Sequence, residues 1–222
     1  MLPLVSCICP TYNRMEYHPS IFNTFNDLDY PHKELLVYDD SPILSKFFSK
    51  LNDSRVSYRH YKNRLSIGKK RNEMIREAQG EIIQHLDDDD WYAPEYTKTM
   101  LNHLWDADLV KLTVFNIFDE NNRLKYLWDT RSTGLNLISI FTRLPTKWGY
   151  GFSYMYRRNL CNTIKFPDIN LGEDCEFIKR ARSVNARLKG IEDCPNLVLH
   201  TVHKKNTSLI LKLALNGQNS NE

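Results

Sequence analysis

The chain has 222 residues, 41% apolar and 26% charged, which suits one sizeable core better than two full domains. Its 30 basic and 27 acidic residues leave a net charge of +3, too even a balance to make nucleic acid or an anionic membrane the main partner. No run approaches the roughly 18 apolar residues of an integral membrane segment, no signal-peptide pattern opens the chain, and the five scattered cysteines include no Cys-x-x-Cys pair, so a reducing, cytoplasmic setting is expected.

Residues 4–9 form an apolar run stopped by Pro10 and predict a buried strand. A helix is expected within residues 19–28, and a second strand over 34–38 that ends on Asp39-Asp40. Ser41-Pro42 has the form of an N-cap followed by proline at the first helical position, which predicts a helix towards Leu51. Residues 55–61 predict a third strand. Ser66 is placed to cap a helix whose apolar positions Ile67, Met74, Ile75 and Ala78 share one side, with Gly80 closing it. Residues 81–86 predict a fourth strand that runs straight into Asp87-Asp88-Asp89-Asp90. Pro94 then starts a helix with Met100, Leu101, Leu104 and Trp105 as its apolar stripe.

The second half is less regular. Residues 109–118 and 123–128 flank Asp119-Glu120-Asn121-Asn122 and predict a hairpin. Residues 129–150 carry no clear element. A strand is expected over 153–156, a helix over 173–183, a last strand over 197–202, and a polar, frayed tail over 208–222.

Strand–helix alternation of this kind predicts an α/β fold, with a mostly parallel sheet and helices on both faces. Ligands of such sheets bind outside the carboxyl ends of the strands. Pro10-Thr11-Tyr12, Asp39-Asp40 and the four aspartates all fall at such ends, so three separated segments should converge on one edge.

Four consecutive aspartates cannot all be core, and they repel one another unless a cation or hydrogen-bond donors offset their charge. Hard cations such as Mn²⁺ or Mg²⁺ prefer carboxylate oxygens and keep positions open for phosphate, so the run reads as a metal site that holds a diphosphate. A solvated acidic turn that caps the next helix is the bland alternative.

Five segments together resemble family 2 glycosyltransferases over about residues 3–207. Val5-Ser6-Cys7-Ile8-Cys9-Pro10-Thr11-Tyr12-Asn13-Arg14 is similar to the family's opening strand and loop, and Leu36-Val37-Tyr38-Asp39-Asp40-Ser41 to its second strand. Gly68-Lys69-Lys70-Arg71-Asn72 resembles its basic turn, residues 86–91 its Asp-x-Asp segment, and Gly172-Glu173-Asp174 its Glu-Asp pair. The fold implied is GT-A. Residues 1–222 would be a single domain, with a nucleotide-sugar-binding half (1–107), an acceptor-side half (108–207) and the tail.

The resemblance also implies roles. Pro10, Thr11, Tyr12 and Arg14 belong to the donor-binding loop, with Tyr12 packing on the nucleotide base. Asp40 contacts the base or ribose, with Asp39 as the register alternative. Lys69 and Arg71 face the base or diphosphate, whereas Lys70 reads nearly as well as part of a solvated face. Asp87 and Asp89 are the metal acids, Asp89 in direct contact, while Asp88 touches the ribose and Asp90 is structural. Asp174 is the general base of an inverting transfer, and Glu173 orients the acceptor or takes the base role if the register slips by one. His203, near His200, completes the metal site or touches the diphosphate. Trp148, Gly149 and Gly151 lie along the sugar or acceptor.

The implied activity is metal-dependent transfer of a sugar from a nucleotide-diphosphate donor, with UDP favoured, to a hydroxyl on a carbohydrate or glycan acceptor. Two departures leave the donor open: Lys-Lys-Arg-Asn stands for the commoner Ala-Arg-Asn, and Pro42 stands where the family has glycine. A sugar-nucleotide pyrophosphorylase would need a glycine-rich first loop, which Pro10-Thr11-Tyr12-Asn13 is not. A non-catalytic sugar-binding module would be free to lose the acids present here. The short chain is also compatible with one domain of a longer multi-domain protein.

Overall fold

The computed structural model describes residues 2–131, 148–192, 194–203 and 206. The expected tail and most of the segment 129–150 lie outside the described residues.

The first half alternates as its pattern predicts. β1 (Val5–Thr11) leads through α1 (His18–Asp27) to β2 (Lys33–Asp39). β3 (Val56–His60) leads through α2 (Ile67–Glu77) to β4 (Ile82–His85). The short β5 (Trp91–Tyr92) precedes α3 (Tyr96–Leu104). The second half supplies β6 (Leu109–Leu112), β7 (Val114–Asp119), β8 (Leu124–Asp129) and β9 (Met155–Arg157). It ends with α4 (Glu173–Ser183), β10 (Leu188–Ile191) and β11 (Val198–Val202).

Seven strands form one sheet in the order β10-β6-β9-β4-β1-β2-β3, parallel except for β9, which runs antiparallel to both β4 and β6. Four form a second sheet in the order β5-β11-β7-β8. The period-2 alternation of β1 sends Val5, Cys7 and Cys9 to one face, where Ile21 and Phe25 of α1 and Tyr96, Met100 and Leu104 of α3 cover them. Ile8 faces the other way, against Met74 and Ile75 of α2 and Phe177, Ile178 and Ala181 of α4. Each such buried side chain contributes about 1.5–3 kcal/mol, so the two-sided sandwich dominates the stabilisation.

Several sequence expectations are corrected. The strand at residues 4–9 does not stop at Pro10. β1 runs on to Thr11, because β4 pairs with it only as far as Ile8 and the missing N–H of Pro10 falls on that vacated side. No α-helix follows Ser41-Pro42; the segment holds only a short 3₁₀ turn at Phe48–Lys50. Ser41 is spent elsewhere, since its Oγ accepts from the Asn13 N–H at 2.7 Å and donates to Asp39. Gly80 is not a helix cap. α2 ends at Glu77, and a Cβ on Gly80 would lie 2.5 Å from the Leu4 carbonyl oxygen, so glycine is needed there for close approach to β1. Trp105 is 84% exposed rather than part of the α3 stripe. The strand expected over 109–118 divides at Thr113, where the chain leaves the large sheet for the small one.

Candidate active site

The first wall of the site comes from the loop after β1 and from α2. Asn13 adopts a left-handed φ of 52°, which turns the chain so that Arg14 faces back to the sheet edge. Arg14 Nη1 lies 2.7 Å from Asp88 Oδ1 and 2.8 Å from Asp89 Oδ2. Thr11 Oγ1 donates to Asp88 Oδ2 at 2.5 Å. The ring of Tyr12 is covered by the guanidinium of Arg64, 3.2 Å from its centroid.

The two acids after β2 do different things. Asp39 is fully buried and accepts from the Ser41 N–H and from Tyr58 OH, both at 2.8 Å, so it braces its own loop. Asp40 accepts from Arg64 Nη1 at 2.9 Å, the Leu65 N–H at 2.7 Å and Lys70 Nζ at 2.7 Å. Lys70 Nζ also donates to the Thr11 carbonyl at 2.8 Å. Lys69, expected to face the donor, is exposed, and Lys70, for which a solvated face read nearly as well, is buried. The reason is helical phase: Ser66 caps α2 by accepting from the Lys69 N–H, and this sets Gly68, Lys70 and Arg71 inward. Burial pulls the Lys70 ammonium down, and Asp40 opposes that shift.

The aspartate run sits where β4 ends. Asp89 Oδ2 receives His203 Nε2 at 2.9 Å and Asn206 Nδ2 at 3.1 Å. Asp90 is held by His200 Nδ1 at 2.8 Å and the Thr201 N–H at 2.8 Å. The ring of Tyr17 stacks on that of His203. Burial pushes the carboxyls of Asp87, Asp88 and Asp90 up to about 6. Burial acts on Asp89 in the same sense, but the His203 hydrogen bond and the Arg14 charge outweigh it and hold that carboxyl below its ordinary value. Asp87, Asp89 and Asp90 can each offer one oxygen within 4.8 Å of the others, and an all-oxygen set suits a hard divalent cation.

The opposite wall is α4 and the residues that lead into β9. Arg71, expected at the donor, forms a buried ion pair with Glu173 at 2.5 Å. Its charge also reaches Asp87 and Asp174, so the acidic run and the Glu-Asp pair share one guanidinium. Burial raises Glu173 to about 7, against the pull of Arg71. Asp174 is half-buried; its Oδ2 accepts from the Gly151 N–H at 2.9 Å and its Oδ1 from the Cys175 N–H at 2.7 Å. A Cβ on Gly151 would stand 2.8 Å from the Asp174 Cβ, so glycine there is a steric requirement. Gly149 accepts from the buried Lys111 ammonium, and Arg182 lies over the ring of Trp148 at 5.1 Å.

The site thus joins Thr11, Tyr12, Arg14, Asp40, the aspartate run, Arg71, Glu173, Asp174 and Gly151 at one sheet edge. Sequence reading missed Arg64, which no motif marks. It also missed Lys111, for which a lysine inside the apolar run Leu109-Val110-Lys111-Leu112 was an available signal.

Comparisons with known proteins bear on the family and the fold. The model of the family "Glycosyl transferase family 2" matches residues 6–164. The Staphylococcus aureus poly(ribitol-phosphate) β-N-acetylglucosaminyltransferase TarS is 30% identical over 203 residues, 85% of this chain and 34% of TarS. The Escherichia coli K12 putative colanic acid biosynthesis glycosyl transferase WcaA is 32% identical over 105 residues, 46% of this chain and 38% of WcaA. The chain therefore spans little more than a third of the length of these relatives. Among solved structures, TarS residues 1–349 with UDP-GlcNAc superpose with a TM-score of 0.68 at 23% identity, covering 93% of this chain and 62% of that one. The Pyrobaculum calidifontis mannosyltransferase PcManGT with GDP-Man and Mn²⁺ gives 0.70 at 18% identity, covering 93% and 59%. The fold is the GT-A fold of these structures, and the chain belongs to glycosyl transferase family 2.

Proposed function

We propose that the chain transfers a sugar from a nucleotide-diphosphate donor to an acceptor hydroxyl with inversion, using Asp174 as general base. One observation carries this reading: a carboxylate held by two backbone N–H groups and a run of acids suited to a divalent cation both lie within the electrostatic reach of Arg71. TarS was solved with UDP-GlcNAc, and a UDP-sugar is the donor favoured here.

In the proposed reaction the acceptor oxygen attacks the anomeric carbon and its proton passes to an Asp174 oxygen. The bond from that carbon to the phosphate oxygen breaks, and its electron pair leaves with the nucleoside diphosphate. Asp174 Oδ2 keeps a lone pair for this after accepting the Gly151 N–H. Glu173 is the poorer base because its Oε1 is committed to Arg71 in a buried pair. Asp87 and Asp89, with His203 against Asp89, are the residues that would hold Mn²⁺ or Mg²⁺. Bound there, the ion supplies Lewis-acid stabilisation of the leaving diphosphate. Arg14 adds a fixed positive charge beside the same acids. Tyr12 and Arg64 offer a stacking platform for the base, with Asp40 below it. The acceptor is a carbohydrate or glycan, entering past Trp148.

Mn²⁺-dependent release of UDP from UDP-GlcNAc by the purified chain tests the reading. Absence of turnover with this and with GDP- and TDP-sugars, where nucleotide binding is retained, would favour a non-catalytic module.

Two further results are expected. Gly151→Ala forces Asp174 out of place, so turnover should drop by about 10²-fold while donor binding persists, as initial rates and thermal shifts would report. Metal binding should also weaken as pH falls through about 6, because protons then compete for Asp87. A Mn²⁺-induced melting shift strong at pH 7.5 should fade by pH 5. Without metal the sign reverses for Asp87, Asp88 and Asp90. Their folded-state values of about 6 exceed the ordinary 3.8, so their contribution to stability is lost as pH rises through that window.

A further inference from the structure

The backbone that hands its N–H to Asp174 is itself gripped from behind. Every carbonyl from Trp148 to Gly151 meets a side chain. Tyr154 OH donates to the Trp148 carbonyl and lies 3.5 Å from the Asp174 carbonyl. Lys111 Nζ donates to the Gly149 carbonyl. Ser153 Oγ is 3.5 Å from the Tyr150 carbonyl. His85 Nδ1 donates to the Gly151 carbonyl at 2.7 Å, and its Nε2 meets Tyr156 OH at 3.2 Å. Lys111, His85 and Tyr154 are all at most 1% exposed. Between these anchors Tyr150 holds a left-handed φ of 68°, a conformation that costs a non-glycine residue energy and persists only where its surroundings impose it.

We propose that Lys111, His85 and Tyr154 are positioning residues that clamp the backbone of residues 148–151 and thereby aim the Gly151 N–H at Asp174. The inference rests on Asp174 being the base. The physical case is strongest for Lys111. Taking an ammonium wholly out of water is costly, and a methionine would fill similar volume on β6 without that cost. The charge at Lys111 holds the Gly149 carbonyl, in the peptide unit that ends at the Tyr150 nitrogen, one unit before the Gly151 N–H that bonds the carboxylate. Its field also reaches Cys175, next to Asp174. His85 sits at the end of β4, so the same clamp ties the base to the strand that carries the aspartate run.

The test uses the purified chain with UDP-GlcNAc and Mn²⁺ as probe, and amide hydrogen exchange at Gly151 as a readout independent of activity. Lys111→Met should lower kcat by about 10²-fold with donor KM changed by less than about twofold. It should also speed Gly151 exchange by about tenfold or more. His85→Leu should do the same, and His85→Asn, whose Nδ2 can replace the donated hydrogen bond, should restore much of both. If Lys111→Met does not fold, the comparison of His85→Leu with His85→Asn decides. Unchanged exchange at Gly151, a change in KM alone, or equal behaviour of the two His85 variants would overturn the clamp. Failure of the base assignment is separate: Asp174→Asn would then keep its turnover, while the Gly151 exchange data would still report on the clamp.

Discussion

Asp174→Asn is expected to bind donor as the native chain does and to lose turnover by about 10²- to 10⁴-fold, the usual contribution of a general base. The substitution is close to isosteric. An asparagine oxygen can still accept from one of the Gly151 and Cys175 N–H groups, although its Nδ2 cannot accept from the other, so one of the two hydrogen bonds goes. The larger loss is the capacity to take a proton. Initial rates of UDP release, together with UDP-induced melting shifts, separate the two effects, and unchanged turnover would remove Asp174 from the role. Glu173→Gln makes the contrast. It removes the charge that balances Arg71 in a buried pair, so its main effect is on stability, about 3–5 kcal/mol as for other broken buried pairs. A variant that melts early but turns over when folded would therefore mark Glu173 as an anchor.

Asp89→Ala should abolish the metal-dependent part of nucleotide binding. In the native chain, a nucleotide present at about 100 times its Kd adds about 2.7 kcal/mol to the folded state. The metal-dependent share of that shift should vanish in the variant even at high Mn²⁺. Asp89 is the acid whose charged form the surroundings favour, through His203 and Arg14, whereas burial works against ionisation at Asp87 and Asp88. Loss at Asp89 also leaves His203 Nε2 and Asn206 Nδ2 without their shared acceptor, so the same melting curves should show a lower baseline. Retention of a full Mn²⁺-dependent shift would mean that the cation, if held at all, is held elsewhere.

Asp90 illustrates how an acid in a motif can be given another task. It lies beside Asp89 in sequence, and its oxygens fall within reach of the same cation position. Yet it already accepts from His200 and from the Thr201 N–H, which binds the end of β4 to β11. The Asp90 charge and hydrogen bond raise His200 despite burial, so this contact stitches the two sheets together beneath the acidic run.

Local patterns in the chain were enough to establish the alternation of β1 to α3, the two-sided covering of the large sheet, and the meeting of the three acidic or aromatic segments at its carboxyl edge. They were enough because apolar periodicity and strand ends are written in neighbouring residues. The register of side chains that face the site was decided by the tertiary structure. Lys70 points in and Lys69 out because the capping of α2 at Ser66 sets the helical phase, and Arg71 goes to Glu173 because α4 packs beside α2. The reversed strand β9 was equally illegible, since its direction depends on strands far away in sequence. That reversal brings Gly151 to the edge where the parallel strands end, and so places a backbone donor against Asp174. Short-range pattern thus specified which elements form and where the charges gather, whereas long-range packing settled which partner each charge takes, because a buried ion or hydrogen bond is stable only where the whole fold supplies its counterpart.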